Sequence, residues 1–213
     1  MIILKLNYTL WLIIINIAVF VIDIPLSNID LIKNSYGDII TDLFGLNSQN
    51  FFTQGYVWQV FTYMFVHSSV LHLFFNMFGL LIFGPKIEYT MGKKKFLVYY
   101  IICGIGSALF YMLITGISDI PMVGASGAIF GVLTAYGVMY PKDIIYVQFF
   151  LPMPAIVFVI VYGLSQLIFG VASLMAPQLG GIAYFGHVGG LITGLILIKF
   201  FGFNRKKVRY FWE

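Results

Sequence analysis

Serine becomes a useful nucleophile when a neighbouring base takes its hydroxyl proton, and imidazole is the side chain most often used for this. The chain has three histidines, His67, His72 and His187, and a serine set among small residues in Gly124-Ala125-Ser126-Gly127. Ser126 follows the loop residues Ser118-Asp119-Ile120-Pro121 and opens an apolar run, which places it at or near a helix N-terminus. Free backbone N–H groups and the helix dipole favour developing negative charge there. His187 lies near the start of another apolar run, Gly186-His187-Val188-Gly189-Gly190. Gly127 with Gly131, and Gly190 with Gly194, form two small-residue stripes of spacing four. Such stripes let membrane helices approach almost to backbone contact. Ser126 and His187 each stand just outward of their stripe, so this packing brings hydroxyl to imidazole.

That pairing implies acyl transfer by a dyad, because no acidic residue stands near His187 to complete a Ser-His-Asp triad. The tetrahedral intermediate needs donors aimed at its oxyanion. The candidates are the Ser126 backbone N–H, the His72 ring and the Asn76 amide. His72 and Asn76 are four apart and share one helix face, and His67, five before His72, is expected near the outer end of the same helix. On that segment alone, an interhelical hydrogen-bond clamp explains His72 and Asn76 equally well.

The elements that hold these residues are set by composition. Of 213 residues, 61% are apolar and 9% charged, with a mean hydropathy of +0.97. A soluble domain carries about 25% charged residues, so the chain is read as an all-α membrane protein crossing the bilayer several times. Six apolar segments are expected at about 8–23, 61–83, 96–116, 125–140, 147–173 and 182–201. Together they form one domain over residues 1–213. The first segment resembles a secretory signal, but no small-residue cleavage pattern follows it, so it is read as a retained span. Ionisable groups within a bilayer are costly and usually functional. The polar residues that stand out in the spans are the three histidines and Asn76, among scattered Ser, Thr, Gln and Tyr. The single cysteine, Cys103, excludes a disulfide framework and a thiol-rich metal site.

Basic residues mark orientation. With both termini cytoplasmic, eleven of the twelve Lys and Arg residues fall on cytoplasmic stretches and only Lys33 falls outside. They sit at segment ends, which argues against nucleic acid as a partner. Arg205-Lys206-Lys207-Val208-Arg209 is read as an inner-leaflet anchor. The long first loop, about 24–60, is expected outside the membrane as a structured loop. Its Phe51, Phe52, Tyr56 and Trp58 suit the interface.

In three motifs the sequence resembles the rhomboid family of intramembrane serine proteases, in the minimal six-helix bacterial form. Gly124-Ala125-Ser126-Gly127 is similar to the family's GxSG. His67, His72 and Asn76 match HxxxxHxxxN, and His187, Gly190 and Gly194 match HxxGxxxG. The resemblance implies Ser126 as nucleophile, His187 as base, and His72, Asn76 and the Ser126 amide as oxyanion hole. It implies that His67 orders structure or water near the site, and that Phe130 stacks on His187 where many relatives have tyrosine. Gly124, Gly127, Gly190 and Gly194 support the packing. Tyr56-Val57-Trp58-Gln59 departs from the family's frequent Glu-x-Trp-Arg, so other contacts must fix the first loop.

No cofactor or metal is implied. The histidines lack the HExxH spacing of a zinc protease and have no carboxylate beside them. A transporter is disfavoured by the lack of midplane charge and of paired broken helices. A non-catalytic binder of membrane helices is the main alternative, although the serine and histidine that such relatives usually lose are both present. The expected substrates are membrane proteins cut near the outer end of a span, where helix-weakening residues expose the peptide carbonyl; the resemblance to rhomboids adds a small residue on the acyl side of the cut. Access is expected beside the fifth segment, with Phe149 and Phe150 as a gate and residues 174–182 as a lid. The expected location is the cell membrane.

Overall fold

The computed structural model describes residues 7–27, 39–147, 150–175 and 183–202. The fold is mostly helical. The long helices are α1 (Tyr8–Ser27), α5 (Val70–Met91), α6 (Lys93–Thr115), α7 (Ser126–Met139), α8 (Ala155–Met175) and α9 (Tyr184–Phe200). Short helices α2 (Ile39–Phe44), α3 (Ser48–Gln54) and α4 (Gln59–Thr62) occupy the first loop, and a two-stranded hairpin, β1 (Ile144–Val147) and β2 (Leu151–Pro154), precedes α8. Among the described residues, α5, α6 and α8 are long and apolar enough to cross a membrane, and three shorter apolar helices accompany them.

The middle of this arrangement is α7, which packs against α5, α6, α8 and α9. Eleven of its fourteen residues are buried, among them Gly127, Phe130, Gly131 and Thr134. The two glycine stripes meet: a Cβ on Gly190 would run into the Gly127 carbonyl, and one on Gly194 would press on Gly131 backbone atoms 3.0 Å away. The Tyr99 hydroxyl of α6 donates to the Gly131 carbonyl at 2.7 Å and supports the same crossing from behind.

At the other end, α1 is tied to α5 by Glu88, whose carboxylate accepts from Tyr8 N at 2.8 Å, Thr9 N at 2.9 Å and the Thr9 hydroxyl at 2.7 Å. A carboxylate satisfies free N–H groups and complements the dipole at a helix N-terminus. Asn16, a further amide inside an apolar helix, donates to its own Leu12 carbonyl at 2.7 Å.

Two expected segments begin later than their apolar composition implies. Residues 61–69 do not continue α5. They complete α4, make a 3-10 turn (Tyr63–Phe65) and pass through extended backbone at Val66 and Ser69. The Ser69 hydroxyl caps α5 by accepting from His72 N, so His67 lies before the helix instead of on it, and α5 runs on to Met91. Likewise, the stretch after residue 143 forms the hairpin, with Ile144 opposite Pro154 and Val147 opposite Leu151. Pro152 and Pro154 cannot donate within a helix interior, and α8 starts directly after them. Phe150 therefore sits in the hairpin turn, 73% exposed, and not on α8 as a gate. Phe149, the lid residues 176–182, Lys33 and the basic group Arg205–Arg209 lie outside the described residues.

From residue 39 onward the first loop is structured, as expected. Gln59 is fully buried: its amide oxygen accepts from Asn47 N at 3.0 Å, and its amide nitrogen donates to the Asp42 carbonyl at 2.8 Å. The Trp58 indole donates to the Leu43 carbonyl at 2.8 Å, and Tyr56 stacks on Trp58. A neutral amide thus does the bracing for which the sequence has no ion pair. Leu46 and Met122 exchange backbone hydrogen bonds of 2.9 and 2.8 Å, joining this loop to the segment before Ser126.

Candidate active site

Ser126 is the first residue of α7, following Gly124 at φ +110°, a left-handed conformation suited to glycine. Gly124 N donates to the carbonyl of Tyr63 at 3.0 Å, and the buried Tyr63 hydroxyl donates to the Gly104 carbonyl at 2.7 Å. The turn is thereby fixed to α6 through the 3-10 segment. No side chain caps α7, and its first N–H groups lack intrahelical acceptors.

The glycine crossing of α7 and α9 sets Ser126 Oγ 2.7 Å from His187 Nε2. Phe130, one turn along α7, stacks on the His187 ring with centroids 4.3 Å apart and planes 14° from parallel. Tyr162 of α8 stacks in turn on Phe130 at 5.0 Å. The expected Phe130–imidazole contact therefore forms without the hydroxyl that a tyrosine would carry.

His72 and Asn76 approach from α5. A Cβ at position 124 would strike the His72 ring and come within 3.5 Å of Asn76 Nδ2, so glycine there is what lets both side chains reach the Ser126 turn. His72 Nδ1 is 3.1 Å from the Ser68 hydroxyl. Asn76 Nδ2 donates one hydrogen to the His72 carbonyl at 3.0 Å; an amide nitrogen carries a second. His67 is buried, and its ring meets that of His72 edge to face at 5.1 Å. It braces His72 from the loop and does not line the cavity at Ser126.

That cavity, about 820 Å³, is lined by Ser126, His187, His72 and Asn76 together with Phe158 and Tyr162 of α8. The α8 aromatics at the site are these two, from the first two turns of the helix, and Phe150, expected from sequence, does not line the cavity. The sequence also missed Gln166, buried on α8, whose Oε1 lies 2.8 Å from His187 Nδ1. Its one available signal was an amide in an apolar run. Among the described residues, no cluster of His, Cys, Asp and Glu could hold a metal ion.

A Rhomboid domain matches residues 54–203. The chain is 33% identical to rhomboid protease AarA of Providencia stuartii, over 89% of this chain and 70% of that protein. It is 32% identical to rhomboid protease GlpG of Haemophilus influenzae, over 72% of each. RHOMBOID-like protein 1 of Arabidopsis thaliana is 32% identical over 66% of this chain, which spans only 33% of that protein's length. The matched region contains the turn at Ser126, His72 and Asn76 on α5 and the histidine on α9, and the chain belongs to the rhomboid family of intramembrane serine proteases.

Proposed function

We propose that the protein cuts peptide bonds in or near transmembrane segments of other membrane proteins, using Ser126 as nucleophile and His187 as base. The observation that carries this reading is the 2.7 Å contact between Ser126 Oγ and His187 Nε2 at the start of a buried helix. His187 Nε2 takes the hydroxyl proton while Oγ bonds to the carbonyl carbon. The carbonyl oxygen, now anionic, accepts from the Ser126 N–H, the His72 ring and the second Asn76 amide hydrogen. The imidazolium then protonates the leaving amine, and water hydrolyses the acyl-enzyme with His187 again as base. The cavity beside Ser126 supplies the room for that water.

Six helices span the cell membrane in this reading, within one domain over residues 1–213 and with both termini cytoplasmic. At 1.5 Å per residue, the 14 residues of α7 reach about 21 Å, against a hydrocarbon core of about 30 Å. Ser126 then lies below the outer surface, where a substrate helix unwinds into the cavity. The test is incubation of the purified protein with a labelled single-span membrane protein. Wild type is expected to cut it, and Ser126→Ala and His187→Ala to lose cleavage. Continued cutting by Ser126→Ala would exclude the serine mechanism, and no cutting by wild type across a panel of such substrates would favour a non-catalytic binder.

A further inference from the structure

Stacking alone leaves His187 undetermined. The Phe130 ring fixes the plane of the imidazole, but a half-turn about Cβ–Cγ keeps that plane while replacing Nε2 by carbon opposite Ser126. A directional partner has to choose between the two orientations. Gln166 is that partner: it is 5% exposed, and its Oε1 is 2.8 Å from His187 Nδ1. An amide oxygen only accepts, so Nδ1 carries the proton of the neutral ring and Nε2 keeps its lone pair toward Ser126 Oγ.

The amide is itself oriented. Gln166 Nε2 donates to the Ser165 hydroxyl at 3.3 Å, and that hydroxyl donates to the Tyr162 carbonyl at 2.7 Å. Only three residues of α8 are buried, Ala155, Gln166 and Gly170. An amide at one of these positions is costly unless it is paired.

We propose that Gln166 is a positioning residue of the proteolytic site, holding His187 in the Nδ1–H tautomer and in the ring orientation that accepts the Ser126 proton. The proposal rests on the serine–histidine reading and completes it with a neutral third member. An amide orients the base as a triad carboxylate does, without the cost of burying a charge among apolar helices.

The experiment compares wild type, Gln166→Met and Gln166→Glu as purified full-length protein, measuring kcat and KM on the labelled single-span substrate. Nitrogen-15 spectra of labelled histidine report the His187 tautomer, assigned by loss of its signals in His187→Ala. Methionine keeps the length of the side chain and removes the acceptor, whereas glutamate keeps the acceptor. Gln166→Met is expected to lower kcat roughly 10–100-fold, as small misplacements of reacting groups do, with KM changed less than about twofold. Gln166→Glu should recover most of the loss, and the wild-type spectrum should show Nδ1 protonated. An Nε2-protonated ring in wild type, an unchanged kcat in Gln166→Met, or equal losses in both variants would each overturn the proposal. If Gln166→Met does not fold, the wild-type tautomer alone decides. Cleavage by Ser126→Ala would instead defeat the serine reading and leave the tautomer result standing.

Discussion

In the proposed mechanism Asn76 does two jobs with one nitrogen. One hydrogen closes a bond to the His72 carbonyl within α5, and the other is left for the oxyanion. Truncation to alanine therefore removes a donor from the transition state while α5, capped by Ser69, stays intact. Asn76→Ala is expected to lower kcat about 100–1,000-fold, with little change in melting temperature. Equal activity in steady-state assays would remove Asn76 from the oxyanion hole and return it to the clamp reading. At His187 the division is similar: Phe130 sets the ring plane by stacking, so the missing tyrosine hydroxyl costs the contact nothing.

At the scale of helices, the site depends on how closely α7 and α9 can approach. Gly190 faces the Gly127 carbonyl with no room for a Cβ. Gly190→Ala must push the helices apart or distort one of them, at about 1–3 kcal/mol. Because Ser126 and His187 stand on the two helices of that crossing, their contact lengthens at the same time. The expected outcome is a lower unfolding temperature together with at least a tenfold fall in kcat. A variant that melts earlier but cuts at the wild-type rate would show that the crossing does not set the Ser126–His187 distance.

At the scale of the whole molecule, α1 is held by a few polar bonds at one end. Glu88, 3% exposed, satisfies the first N–H groups of α1 from the last turn of α5. Glu88→Ala leaves those donors unpaired and should cost about 1–3 kcal/mol of stability, read by thermal unfolding in detergent. The variant should keep the wild-type kcat for the fraction that remains folded, since Glu88 lies outside the Ser126 cavity. Unaltered unfolding would mean that apolar packing alone seats α1. Lys86 and Asp143 form a second polar tie between α5 and the segment after α7.

The amino-acid order alone determined the membrane class, the family and the pairing of Ser126 with His187. Apolar runs, glycine spacing and the three motifs are properties of nearby positions in the chain, and within a helix a spacing of four specifies a face without reference to anything else. Tertiary structure decided the rest. His67 falls before α5 because the Ser69 cap, and not apolar content, starts that helix. Phe150 falls in a hairpin because Ile144–Val147 is as apolar as a span yet pairs with Leu151–Pro154. Gln166 meets His187 from 21 positions away. No motif or glycine stripe marks Gln166 as they mark Ser126 and His187, and its meeting with His187 is fixed by how α8 is rotated and seated against α9.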